Sequence, residues 1–538
     1  AICLALIGTL MIAFIRWLFN WRNFKRFLFG LACFITLIAL FYAEEDWRGK
    51  HDWNKFKRQW EAKGEKFDFA SIIPPPVPDD QNFALTPIMF TSYGYILSRD
   101  GKVIPYKDRD TNFVNRLQMN VEGDGNVKNW PTNGYWAKAT ITDLSGWQNY
   151  YRALAATTNE FPVAPQPQTP AECVLLALSK YDSTIEELRQ ASLLPYSRFP
   201  LDYDSEDPAA ILLPHLAALK QCSQVLELRA IAELQNNESQ KALDDVKLSL
   251  RLMDSVRTEP FLISHLVRAA ILQIALQPVY EGLAEHKWSD AQLVALDSEL
   301  AKLDFLADYK LAMHGELGFQ DGIVRFLQKY PEQFPNLTGM SDENSNDHKS
   351  TIESIVATAM RFHLVPSGWF YQNQLHCARP MEEFYLAAAD VNQQTLKPVL
   401  IRGGDATFIK ERKNLTPFNI LESIMLPALG ASAKKFAYAQ SSTDLARVAI
   451  ALERYRLVRG NFPDSLDAFA PQFMEKIPHD IINGEPLHYR LDDGQFVLYS
   501  VGWNETDDGG VVVLDGPFGK SGNLNINKGD WVWRYPQK

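Results

Sequence analysis

Apolar positions along this chain follow three successive patterns. Residues 1–19 and 27–43 are nearly unbroken apolar runs, separated by Asn20, Trp21, Arg22, Asn23, Phe24, Lys25 and Arg26. As helices they would be about 28 and 26 Å long at ~1.5 Å per residue, close to the ~30 Å hydrocarbon core of a bilayer, so each can span it. From about 169 to 330 the apolar residues recur with helical spacing, in runs at 208–234, 239–256, 260–283, 290–303 and 305–330 joined by short polar links such as Asn236, Asn237 and Glu238. After 486 the period drops to two: 486–491 and 495–501 alternate as strands on either side of Asp492, Asp493 and Gly494.

Local signals sharpen these elements. Ser183 with Glu186 and Ser289 with Gln292 fit the capping box, and Asp207–Pro208 sets a cap before a proline at the first helical position. Short links between long helices imply antiparallel hairpins, and a stack of such hairpins resembles tetratricopeptide arrays in architecture, without their 34-residue signature. The run at 261–283 is interrupted by His265, Arg268, Gln273, Gln277 and Pro278. A charge at mid-bilayer costs about 2.5–3.5 kcal/mol, so this run is expected to be a buried array helix. Residues 428–459 read as one helix with a stripe of Leu445, Val448, Ala449, Leu452 and Tyr455, stopped by Gly460; a short helix at 464–469 follows.

The expected fold is therefore mainly α with a small α+β module at the C-terminus. Its divisions are an apolar helix or helical hairpin (1–43), a juxtamembrane segment and Pro-rich spacer (44–80), an irregular region with short strands such as 93–97 (81–168), the helical array (169–335), a polar linker (336–350), further helix (351–427) and the C-terminal module (428–538). In the juxtamembrane segment Trp47, Trp53, Phe56 and Trp60 alternate with Lys and Arg. Such a helix would either lie on lipid headgroups or pack as a stalk on the folded body.

Charge fixes an orientation and excludes a class of partner. Arg16, Arg22, Lys25 and Arg26 meet no acidic residue before Glu44, so the positive-inside rule places the connection at 20–26 in the cytoplasm and all that follows residue 43 outside. Two other readings stand beside this one. A secretory signal cut after Ala43 would leave Phe41 where a small residue is preferred, and a chain that begins at Ala1 allows 27–43 to be the only span. Over the whole chain 54 Lys and Arg oppose 65 Asp and Glu, a formal charge of −11, which gives nucleic-acid binding no global driving force. Residues 1–66 alone carry an excess of five positive charges, leaving the remainder at −16: a basic aromatic foot below an acidic body. The five cysteines, Cys3, Cys33, Cys173, Cys222 and Cys377, form no C-x-x-C pair and no zinc-site spacing with His, although one bridge among the last three is compatible with the count.

The order of elements after 428 resembles the globular half of the major pseudopilins of type II secretion systems. The matching residues are Ala451, Leu452, Glu453, Arg454, Tyr455, Arg456 and Leu457, then Gly460, Asn461, Phe462 and Pro463, then the strand 496–502, then the loop Trp503, Asn504, Glu505, Thr506, Asp507, Asp508, Gly509, Gly510. The whole chain is also similar to membrane-anchored bacterial envelope proteins that join a helical region to such a C-terminus, a group with no activity to carry over. In pseudopilins the acidic loop binds Ca2+, and the resemblance implies Asn504 and Asp530 at ligand positions with Asp507 and Asp508 between them. Calcium takes six to eight oxygens, and Asn in place of Asp at 504 lowers the ligand charge. Polymerisation as a pilus subunit is not implied, because nearly 385 residues separate the apolar run from residue 428 and Pro427 precedes the helix.

No Walker A, dinucleotide, G-x-S-x-G or H-E-x-x-H motif is present, so no catalytic residue is assigned. The nearest approaches are His314–Gly315–Glu316 and His376–Cys377, and convergence of residues distant in sequence is a matter for coordinates. Trp369, Tyr371, Gln372 and Asn373 form an aromatic and amide cluster of the kind favoured at protein interfaces. The expected function is a non-enzymatic scaffold in the bacterial inner membrane, bulk periplasmic, with membrane lipid and other envelope proteins as partners. The alternative is an envelope enzyme or solute-binding protein with a pocket between the array and residues 81–168.

Overall fold

The computed structural model describes residues 20–92, 95–97, 103–105, 116–123, 131–334, 356, 358–360, 364–425, 429–516 and 522–536. It is mainly helical, with an N-terminal apolar helix and small antiparallel sheets, the largest near the C-terminus. The chain forms two compact units. One comprises Ala1–Lys66, Ile323–Arg379 and Glu411–Met425; the other comprises Phe67–Gly322, Pro380–Lys410 and Leu426–Lys538.

The first unit is organised by one helix of 41 residues, Trp21–Glu61, about 62 Å long at ~1.5 Å per residue. The Asn20 side chain caps it, accepting from the Arg22 amide at 3.1 Å. Residues 21–26, read from sequence as a connection, are thus the first turns of this helix, and the run at 1–19 lies outside the described residues. The helix has two kinds of surface. In its apolar half the side chains are out in the open, with Phe29 73% and Leu37 65% exposed. Beyond it Glu45, Gly49, Trp53 and Phe56, spaced to share one face, are buried. Of the two readings of the basic aromatic segment, the packed stalk describes Trp53 and Phe56, while Trp47 stays exposed. Gly49 crosses the start of helix Ser367–Pro380 at Gly368 so closely that a Cβ on Gly49 would stand 2.2 Å from the Gly368 carbonyl oxygen.

In the second unit helices His215–Gln235, Ser239–Asp254 and Leu262–Ala284 pack on one another. Two capping boxes close helix starts: the expected Ser289–Gln292 and, unanticipated, Thr169–Glu172. The Ser183–Glu186 box does not form, because helix Asp182–Ala191 begins after Tyr181, without a side-chain cap. Pro208–Ala210 is a separate 3-10 turn capped by Asp207. Helix Leu262–Ala284 is apolar enough to cross a membrane, yet 67% of its apolar stretch is inside the protein. Its fully buried Arg268 donates to Asp308 at 2.7 Å, to Asp254 at 3.2 Å and to the Met253 carbonyl at 3.1 Å. A buried guanidinium requires such neutralisation.

Helix Leu429–Arg459 packs against Leu262–Ala284 and Asp290–Leu300, and carries a three-stranded antiparallel sheet of His488–Asp492, Gln495–Ser500 and Trp531–Arg534. Leu498 in the centre strand faces Tyr489 on one side and Trp533 on the other. The turn between the first two strands has Asp493 at φ 45° and Gly494 at φ 78°, the primed geometry that matches strand twist. Val512–Asp515 and Asn523–Gly529 form a separate hairpin. The short helix expected at 464–469 is a single 3-10 turn, Leu466–Ala468. Trp136 stacks on Tyr438 and lies tilted against Trp533 at centroid distances of 6.1 and 5.1 Å, and its indole donates to Gln273 of the array at 3.1 Å, so the irregular region, the array and the C-terminal module share one core.

That irregular region is more ordered than its sequence suggests. The expected short strand at 93–97 is Tyr95–Leu97, which pairs with Val103–Pro105; neither that partner nor helix Leu144–Ala155, capped by Asp143, was anticipated. No disulfide joins Cys173, Cys222 and Cys377, each of which is buried, so the bridge that the count allowed is absent. The polar linker at 336–350 lies outside the described residues.

Two outcomes are expected. Gly49→Ala should cost about 1–3 kcal/mol through overpacking and lower the thermal midpoint, whereas Gly30→Ala, with nothing within 4 Å of the added carbon, should not. Burial pushes Glu227 up to about 8, against the hydrogen bond from Asn133. An acid whose folded pKa is raised favours the folded state fully below its unfolded pKa of about 4.3 and loses that contribution as pH rises towards the folded value. Denaturant titrations should therefore show stability falling between about pH 4 and 8, and Glu227→Gln should flatten part of that slope.

Candidate functional site

The most concentrated polar chemistry of the first unit grows out of the helix crossing. The Gly368 amide donates to Asp46 Oδ1 at 2.7 Å, and the Trp369 indole donates to Glu45 Oε2 at 3.0 Å. Glu45 is itself buried and paired with Arg48. One turn on, Asn373 is 1% exposed; its amide nitrogen donates to the Trp369 and Pro417 carbonyls, both at 2.8 Å, and its oxygen accepts from the Leu421 amide at 3.0 Å. Asn373 thereby holds residues 417–421 against helix Ser367–Pro380.

That clamp brings together three side chains from three elements. His376 stands on helix Ser367–Pro380, Glu411 near the end of helix Pro398–Lys413, and Glu422 on the short helix Ile420–Met425. His376 Nδ1 is 3.0 Å from Glu411 Oε2 and 3.8 Å from Glu422 Oε2, and one ligand atom from each residue lies within 4.8 Å of the others. The His376 and Glu411 side chains are 28% and 31% exposed, but that of Glu422 is 1% exposed. Among the described residues no N–H group donates to either Glu422 oxygen within hydrogen-bonding distance, and its polar neighbours are the Glu411 carboxyl, with which it can share a proton, and His376. The His376 hydrogen bond holds Glu411 well below the usual carboxylate range, while burial, together with the adjacent Glu411 carboxylate, pushes Glu422 far above it. Such a pair retains one proton between two carboxyl groups or gives it up to a cation.

Of these residues only His376 stands out in the sequence, and there beside Cys377, which is buried. Glu411 sits in the charged run Lys410–Glu411–Arg412–Lys413, indistinguishable from a solvated helix face, and Glu422 in an otherwise apolar stretch. His314, Gly315 and Glu316 do not form a site. His314 donates to the Lys310 carbonyl at 2.7 Å, and Gly315 abuts Pro260, whose oxygen would be 1.5 Å from an added Cβ.

The residues expected to form an interaction surface are largely internal. Gln372 and Asn373 are buried, Gln372 reaching Asp52 at 3.5 Å, and Trp369 packs edge-on to Phe418 with centroids 5.6 Å apart. Tyr371 is half-buried. Their amides and rings build the crossing, which leaves Gln372 and Asn373 unavailable to a partner.

In the C-terminal module Asn504, Asp507, Asp508 and Asp530 lie around one loop, but as hydrogen-bonding groups of the loop itself. Asp530 Oδ2 accepts from the Gly510 and Val511 amides at 2.6 and 3.2 Å, and its Oδ1 accepts from the Asp508 amide at 3.2 Å. Asp507 Oδ1 accepts from the Tyr499 hydroxyl at 3.0 Å and the Gly509 amide at 2.9 Å, and Asn504 Nδ2 donates to Asp508 Oδ2 at 2.7 Å. Calcium needs six to eight oxygens turned inward. Here those of Asp507 and Asp530 accept from N–H and O–H donors, bonds that an ion taking these oxygens would have to displace.

A cleft of about 990 Å3 opens in the second unit between Asp182–Ala191 and Ser239–Asp254, within the array rather than against residues 81–168. Arg189 and Arg229 line it and both bind the buried Asp245, Arg229 at 3.0 Å. Arg229 also pairs with Asp182 and Glu233, and Lys241 with Glu238, so much of its charge is neutralised within the cleft. Comparison of the chain with protein-family models, with curated proteins and with solved structures gives no match.

Asp530→Ala should cost about 1.5–3 kcal/mol, the worth of hydrogen bonds to a charged group, and should speed amide exchange at 508–511. Millimolar Ca2+ should leave the thermal midpoint of the full chain unchanged; a rise of several degrees would show that the loop opens to take the ion.

Proposed function

We propose that this chain is a membrane-anchored bacterial envelope protein whose folded body serves, outside the cytoplasmic membrane, as a structural or interaction scaffold. The observation that carries the reading is the helix Trp21–Glu61: an apolar half with no buried side chains in its most hydrophobic stretch continues without a break into a half packed in the folded unit. Such a helix suits an integral anchor better than a cleavable leader, since cleavage after Ala43 would cut two residues before Glu45, a buried member of the packed face. The basic residues Arg22, Lys25 and Arg26 at its start and Glu44, Glu45 and Asp46 after the apolar stretch support an outward-facing body.

The C-terminal module supports a role in assembly. Its long helix and antiparallel sheet follow the order expected of a pseudopilin-like fold, and its helix is buried against the array instead of continuing from the apolar segment. In this reading the module braces the array and does not polymerise.

Alkaline carbonate extraction and protease accessibility test the anchor. The full chain should stay in the membrane pellet, and protease added to spheroplasts should digest its body; release by carbonate, or protection of the body, would overturn the reading. For the scaffold role, the protein in mild detergent should migrate as an assembly larger than one chain. Recovery solely as a monomer would contradict it.

A further inference from the structure

We propose that His376, Glu411 and Glu422 form a binding site for a divalent transition-metal ion of the Zn2+ or Mn2+ class. The first argument is the donor set. One imidazole nitrogen and two carboxylate oxygens converge from three different elements, with one atom of each within 4.8 Å of the others. Two ligands bound at about 2.1 Å to a tetrahedral ion stand about 3.4 Å apart. The His376 Nδ1 separations of 3.0 Å from Glu411 and 3.8 Å from Glu422 bracket that value.

Glu422 has a side chain 1% exposed, no N–H group among the described residues donates to either of its oxygens, and its carboxylate converges with the other two ligands. Buried polar groups are overwhelmingly satisfied in folded proteins, and an acidic group left without a donor beside a second carboxylate calls for a cation. The protein supplies His376, 28% exposed, and further fixes the geometry through Asn373, one turn away, which holds residues 417–421 to the same helix.

The class of ion follows from the ligands. Calcium and magnesium favour all-oxygen shells of at least six ligands, whereas mixed imidazole and carboxylate donors suit Zn2+, Mn2+ and Fe2+. Access is through the solvent side, where His376 and Glu411 are partly exposed. Water from that side would complete the shell. The ion would fasten Glu411 and Glu422 to helix Ser367–Pro380.

The test uses the full chain in detergent, stripped with a chelator and titrated with Zn2+ by calorimetry and with Co2+ by visible absorption. One ion per chain is expected, with a ligand-field spectrum that includes nitrogen ligation and a thermal midpoint that rises with Zn2+. His376→Ala and Glu422→Gln should each weaken binding at least tenfold and abolish the Zn2+-dependent rise, and Glu411→Gln, at a partly exposed position, gives a third variant should either fail to fold. Absence of uptake by the wild type, or equal uptake by the wild type and a folded variant, would overturn the site. So would a wild-type midpoint indifferent to Zn2+ together with a metal-independent rise in Glu422→Gln, the pattern of two carboxyl groups merely sharing a proton.

Discussion

Where helix Trp21–Glu61 passes the start of helix Ser367–Pro380, the two backbones touch: a Cβ on Gly368 would lie 1.9 Å from the Glu45 carbonyl oxygen, and one on Gly49 would lie 2.2 Å from that of Gly368. Only glycines on both sides allow this approach. It brings the Asp46 carboxylate to the Gly368 amide and the Glu45 carboxylate to the Trp369 indole, so the first turn of one helix is held by side chains of the other. Placing Trp369 places Asn373 a turn later and His376 after it, and Asn373 in turn holds the segment that carries Glu422. The geometry of the His–Glu–Glu cluster is thus inherited from a glycine contact two turns away.

The second unit solves a different problem, that of burying charge in a helical body. Arg268 is neutralised by Asp254 and Asp308. Glu281 accepts from Thr142 and Gln277, and burial still raises it above the usual carboxylate range. These polar ties couple segments far apart in sequence, as the Trp136 stack does between Tyr438 and Trp533. One partner removed leaves a desolvated group behind, which costs more than the bond itself. Helix Leu429–Arg459 packs on Leu262–Ala284, and Tyr280 donates to the Arg534 carbonyl at 3.0 Å, so the C-terminal module belongs to the core of the array and not to an appended domain.

Sequence reasoning reached most of the periodic elements because their signals are local: the Ser289 capping box, Gly460 at φ 86° after the long helix, and the Asp493–Gly494 turn. It placed Arg268 in a buried helix on the cost of a charge in lipid. It did not find helix Leu144–Ala155, whose Trp147, Tyr150 and Tyr151 read as irregular aromatic spacing until their packing partners are known. Nor did it carry the N-terminal helix through 43, since a change of solvent in composition looks like a change of element. The His376–Glu411–Glu422 cluster was out of reach because its members are separated by many residues and none lies in a motif; tertiary contacts, the Asn373 clamp on 417–421 and Asn419 on the Glu411 carbonyl, assemble them.

A single helix joins the apolar segment to the packed crossing, so that the first unit is held stiffly where the apolar segment ends. Amide hydrogen exchange across residues 21–61, on the full chain in lipid nanodiscs, measures this directly. Continuous protection is expected through 41–49, with no fast-exchanging break between the apolar stretch and Gly49. Rapid exchange confined to residues 42–46, with protection on either side, would mean two helices and a hinge, and would contradict the single helix.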